Sequence, residues 1–269
     1  MEPALVVAML WTLFAGTHMG LSITRVRAAL VARLGEPGFF ALFSSIASLG
    51  FWVLVAYYAA HRGEGAPGLD AGRVAPLRWL LMGTVAAGVV LVVAGLGVYP
   101  RLPVALFGQP IVTPRGIERI SRHPFFVGMA LVGGAHVLLA PHLAGAVFMG
   151  GFAVLGIAGA RHQDSRTLQA RGRPYAEYIA ATSVLPLAAW LTGRQTLDRR
   201  ALPLGTITTG LAVAVLLRLA HADLFAAGGA WIAGTTIVGG AVAGLQSHRR
   251  SRRVGALPTR GPTAERPAA

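Results

Sequence analysis

Uninterrupted apolar blocks fall at about residues 4–22, 38–60, 77–99, 124–140, 143–160, 202–221 and 224–245, separated by stretches that gather arginine, proline and glycine. A helix needs ~20 apolar residues to cross the hydrocarbon core, so each block predicts a transmembrane helix. The fourth is short, and only Pro141-His142 separates it from the fifth. Six or seven spans fit the pattern, and seven is the expectation: an all-α, polytopic membrane helix bundle. Residues 61–75 read as a solvated loop. Residues 161–185 alternate charge with Leu168, Tyr175, Tyr178 and Ile179, and predict a helix lying at the interface, divided at Gly172 and Pro174. No internal repeat is visible. Residues 1–246 are therefore expected to form one transmembrane domain. The tail, 247–269, holds too little apolar material to fold and is expected to be disordered. Met1-Glu2-Pro3 has no basic flank, so the first block is expected to stay as a helix and not be cleaved.

Composition sharpens this picture. The chain is 54% hydrophobic and 13% charged, against about 25% charged in a soluble domain. Its net charge of +14 comes wholly from arginine. Stretches 23–36, 101–122, 161–200 and 246–269 hold 3, 4, 7 and 6 arginines, while the opposite loops and flanks hold Arg62, Arg73 and Arg78, and Arg218 lies in the sixth block. That bias fits the positive-inside rule, with the N-terminus outside, the C-terminus cytoplasmic and an odd number of spans. The basic balance thus points to the lipid bilayer as partner and not to nucleic acid. No cysteine is present, which excludes disulfides, thiolate metal sites, cysteine-held iron–sulfur clusters and covalent c-type haem.

Two histidines stand inside apolar blocks: His18 in Ala15-Gly-Thr-His-Met-Gly20 and His136 in Gly133-Gly-Ala-His136. An ionisable side chain in a span is a candidate functional group, and imidazole is a common ligand of metals and haem iron. The glycines clear space for a neighbouring helix or, equally, a flat macrocycle. Both histidines also suit plain helix packing. A third element, Arg122-His123-Pro124, opens the fourth block. It suits an anionic group such as a haem propionate or a cofactor phosphate, or a simple interfacial anchor. His61, His142, His162, His221 and His248 carry less weight, and Arg218 is expected to snorkel or pair with Asp223.

These residues resemble the NnrU family. The resemblance is carried by Arg122-His123-Pro124 with His136, by the stretch from His18 through Arg25, Arg27, Leu30, Arg33-Leu-Gly-Glu36 and Phe43-Ser44 to Gly50, by Ala181-Thr-Ser-Val-Leu-Pro186, and by Leu219-Ala-His221. It covers roughly residues 5–245. It implies a bacterial inner-membrane protein linked to nitrite and nitric oxide metabolism. It also implies kinship with the plant 15-cis-zeta-carotene isomerase, a haem b membrane enzyme. By that relationship His18 and His136 would be the axial ligands of haem b, and His123 a further important histidine; Arg122, beside it, is the cofactor-binding candidate already read from the residues. A redox-gated isomerase-like activity and a respiratory redox partner follow as expectations.

Depth complicates the pair. His18 lies about 10 Å from Arg25 along a helix, and His136 about 21 Å from Arg122. Either the first helix runs on past Leu21, or the fourth begins inside the interface, or His123 replaces His136 as the partner of His18. Two other functions remain open. One is an isoprenylcysteine-type membrane methyltransferase using S-adenosylmethionine, suggested by Arg122-His123-Pro124, Phe126, Gly128, Asp164, Gly172, Tyr175 and Tyr178. The other is a non-catalytic haem sensor or assembly factor for a respiratory reductase.

Overall fold

A computed structural model describes residues 1–98, 111, 113–196 and 203–239. Among them every regular element is helical. Helix α1 (Pro3–Ser22) begins with proline in its first turn, where the missing N–H costs nothing. It ends because Ile23 turns extended and the Ser22 hydroxyl folds back onto the Met19 carbonyl at 2.7 Å. Helix α2 (Thr24–His61) follows at once. Most of residues 23–36, expected as a loop, are therefore helical up to Gly35. That stretch is rich in Ala, Leu and Arg, all strong helix formers. The break comes at Gly35, whose φ of +69° leaves the helical region, with Pro37 just beyond. Arg27 bridges this kink to Glu36 at 2.7 Å.

Helix α3 (Ala75–Val98), α4 (Pro124–Leu139), α5 (Leu143–Arg171), α6 (Arg173–Ala181), the single turn α7 (Ala188–Leu191) and α8 (Leu204–Leu219) complete the described set, with a last helical segment at 230–239. Among the described residues, α1, α2, α3 and α5 are each long and apolar enough to cross a membrane. α4 and α8 are apolar but shorter, 16 residues each. The seventh block is described only to residue 239, and the expected disordered tail lies outside the described residues. The interfacial helix divides where expected: Gly172 caps α5 at φ +56°, and Pro174 sits in the first turn of α6.

Two packing styles build the bundle. α1, α2, α5 and 230–239 share an aromatic core of Trp11, Phe14, Phe51 and Phe148. In it the Trp11 indole N–H donates to the Phe148 carbonyl at 2.9 Å, and Tyr58 stacks on Phe148 with centres 4.0 Å apart. α3, α4 and α8 pack through glycine instead. A β-carbon at Gly128 would lie 2.5 Å from the Gly88 carbonyl oxygen, and one at Gly210 would lie 2.7 Å from the Val90 Cα. With lipid as apolar as any side chain, such close backbone approach is what holds membrane helices together. α3 thereby touches both α4 and α8.

The helices alternate in direction and give the bundle two distinct ends. One, the arginine end, gathers Arg25, Arg27, Arg122, Arg161, Arg166, Arg171 and Arg173. At the far end Glu2 accepts from the Ala66 N–H, and the 61–75 loop bonds to Ala140 and Pro141.

Candidate functional site

At the arginine end one carboxylate organises the Arg-His-Pro element. The apolar run of α5 stops at Ala160, and Asp164 lies one turn beyond it. Its Oδ1 accepts from His123 Nε2–H at 2.6 Å and from the Tyr175 hydroxyl at 2.7 Å. Its Oδ2 accepts from Arg122 Nε and Nη2 at 3.1 and 2.8 Å. The His123 side chain is fully enclosed. Burial alone would raise the Asp164 carboxyl, but the hydrogen bonds from His123, Arg122 and Tyr175 outweigh it and hold it well below the usual carboxylate range. Burial and the same carboxylate push the Tyr175 phenol up.

The segment 181–187 clamps this cluster from the other side. Ser121 donates to the Val184 carbonyl at 2.7 Å and accepts from the His123 N–H at 3.3 Å. The Arg122 N–H donates to Ser183 O at 2.8 Å, and Leu187 N–H to Ile120 O at 2.9 Å. Arg122 and His123 are thus engaged by the chain's own Asp164. The guanidinium offered for a cofactor anion already has a bidentate partner.

At the far end the picture is different. His136 lies one turn before the end of α4, and its Nδ1–H donates to the Val132 carbonyl at 2.8 Å. That bond fixes the tautomer and leaves the Nε2 lone pair free. Its ring faces His221, just past α8, with centres 6.2 Å apart and planes within 10°. Among the described residues no group of three or more His, Asp or Glu side chains converges that could hold a metal ion.

His18 occupies a third place. Its ring lies between Phe14 and Phe43, with centres at 5.6 and 4.9 Å, and its buried Nδ1 has no hydrogen-bond partner among the described residues. α1 does not run on past Ser22, whose hydroxyl meets His162 at 3.2 Å, on the turn of α5 that carries Asp164. His18 is therefore one turn from the arginine end, while His136 is about 20 Å along α4 from His123. The structure does not bring His18 and His136 together; it brings His136 to His221, and His123 to Asp164.

Sequence reasoning gave His221 little weight and saw Asp164 only as part of a methyltransferase-like pattern. Both carried a signal. Asp164 is the sole acidic residue between Glu118 and Glu177, amid a run of arginines, and a lone carboxylate there finds a cation. His136 and His221 each lie near the far end of their helices, so counting from that end puts them at one depth.

The family model for NnrU protein matches residues 5–228. Among curated proteins the chain is similar to the chloroplastic 15-cis-zeta-carotene isomerase of Arabidopsis thaliana. The two are 29% identical over 206 residues, 73% of this chain and 53% of that protein. The chain thus spans about half the length of that relative. No solved structure matches.

Proposed function

Because the chain belongs to the NnrU family, we propose that it is a haem b-binding membrane protein linked to nitrite and nitric oxide metabolism, with an isomerase-like activity gated by redox state. It sits in the bacterial inner membrane with its arginine end toward the cytoplasm, as the charge bias favours.

The observation that carries the haem reading is His136. Its Nδ1–H is pinned to Val132 and its Nε2 is free, the arrangement of a ligand imidazole whose second nitrogen is oriented by a carbonyl. Among the described residues no third His, Asp or Glu side chain joins His136 and His221. A bare metal ion would be under-coordinated there, whereas a haem iron brings four donors of its own and asks the protein for two or fewer. Haem when bound supplies a redox-responsive iron. His136 would hold it, with Val132 orienting the His136 ring and the cluster around Asp164 tying down the entry to α4. The relative's name describes the isomerisation of an apolar polyene. A substrate of that class would reach a membrane-embedded site through lipid, and the exposed apolar surface of these helices is compatible with that route.

Protein purified in mild detergent from haem-replete cells is expected to show a sharp Soret band. Colourless protein would overturn the haem reading, and colourless protein that binds S-adenosylmethionine would favour methyl transfer. Deleting the gene in a denitrifying host is expected to slow nitrite or nitric oxide reduction. Unchanged rates for both would overturn the pathway assignment.

A further inference from the structure

Between α1 and the membrane-crossing part of α2 lies a helical piece, 24–34, bounded by two backbone breaks. Ile23 turns extended on one side, and Gly35 leaves the helical region on the other. The piece starts at the arginine end, where Ser22 closes α1 and meets His162. Past Gly35 the chain folds back. Glu36 and Phe39 both return to Arg27, the carboxylate at 2.7 Å and the ring centre 5.3 Å from the guanidinium. Both ends of the piece are thus held where a span enters the bilayer.

Its side chains divide by helical spacing. Ile23, Val26, Leu30 and Leu34 fall three or four apart and share one face. Ile23, Val26 and Leu34 are exposed, so the bundle leaves that stripe open. Thr24, Ala28 and Ala32 fall on the opposite face. Arg25 and Arg33 lie to one side of the stripe, exposed and with no carboxylate partner among the described residues. Arg27 lies at its other edge and is neutralised by Glu36. We propose that 24–34 is an in-plane helix that binds anionic phospholipid head groups. The apolar stripe enters the acyl boundary, and Arg25 and Arg33 meet the phosphates. Their Cα atoms stand about 12 Å apart along the axis, enough to engage separate head groups. A segment pinned at both ends to the bilayer surface meets lipid before any other partner.

The chain has no cysteine, so full-length protein carrying Val26→Cys or Ala28→Cys takes a single spin label. In vesicles of phosphatidylcholine and phosphatidylglycerol, the Val26→Cys label is expected to collide with dissolved oxygen. The Ala28→Cys label is expected to collide with a water-soluble nickel chelate. Two labels both open to nickel would overturn the in-plane placement. A Val26→Cys label closed to both reagents would put a protein, or a second copy of this chain, on the stripe and overturn it too. Phosphatidylglycerol retained through detergent purification tests the head-group contact. In Arg25→Gln/Arg33→Gln its ratio to phosphatidylcholine is expected to fall, by roughly fivefold per arginine. Arg173→Gln, which removes an arginine paired with Glu177 at the same end, is expected to keep the wild-type ratio. An unchanged ratio in the double variant, or equal falls in both variants, would overturn the head-group assignment. Neither readout involves haem, so the outcome is independent of the cofactor.

Discussion

The two ends of α4 carry one histidine each, about 20 Å apart, and the chain treats them in opposite ways. His123, at the arginine end, meets a carboxylate already bound to an arginine and a tyrosine, and the adjoining backbone is stitched to residues 183–187. His136, at the far end, meets one backbone carbonyl and another imidazole, with no carboxylate in the contact. The first arrangement satisfies charge with charge and gives nothing to an outside ligand through Asp164. The second leaves a nitrogen lone pair in an apolar setting. A polar cluster that closes on itself fastens a fold, whereas the stacked imidazole pair makes no hydrogen bond between its own two rings among the described residues. The Arg-His-Pro element drew attention in the sequence as a binding motif, and in the structure its Arg122 and His123 side chains are both bonded to Asp164.

The sharpest way to break this contrast is to remove the carboxylate. Asp164→Ala strands Arg122, His123 and Tyr175 together. Removing one partner of a buried ion pair costs about 3–5 kcal/mol, and the side chains of Arg122 and Asp164 are only 12% and 18% exposed. Thermal unfolding in detergent is expected to show a loss of that size. A change below about 1 kcal/mol would mean that the cluster does not fasten the helices.

A smaller loss is expected from Gly128→Val, which drives a side chain into the Gly88 carbonyl. Overpacking at such a site costs about 1–3 kcal/mol. Because α3 fixes both α4 and α8, haem affinity should fall along with stability. Unchanged affinity would separate the glycine contact from the far-end pair.

Tyr175→Phe removes one hydrogen bond to Asp164 and is expected to cost about 1 kcal/mol while leaving the Soret band untouched. Acid gives the least dramatic signature. A carboxylate held below its ordinary value contributes stability that is fully present above about pH 4 and is lost as pH falls further toward its folded value. Wild type should therefore lose stability below about pH 4 more steeply than Asp164→Asn. Parallel curves would show that Asp164 is not the group responsible.

Much of this was legible in the sequence, because hydrophobic block length reports on membrane spans with little help from tertiary contacts. The division at Gly172 and Pro174 was equally readable, since both residues act locally. The helical start of α2 was not. Arginines in 24–34 look like loop when charge alone is weighed, and helix propensity wins because no Gly or Pro interrupts the stretch before Gly35. The site was half legible. His18 and His136 could be picked out as polar residues in apolar blocks and His123 from its Arg-His-Pro element, but which of them meet depends on helix neighbours. The contact between α3 and α8 rests on Val90 and Gly210, two residues that no motif marks.

The central claim is that the far end binds the cofactor while the arginine end fastens the bundle. The ratio of haem to folded protein in His136→Ala, set beside that in Tyr175→Phe, tests it most directly. The account predicts near-complete loss of haem in His136→Ala, with the protein still folded, and a wild-type ratio in Tyr175→Phe. A full complement of haem in His136→Ala would contradict it.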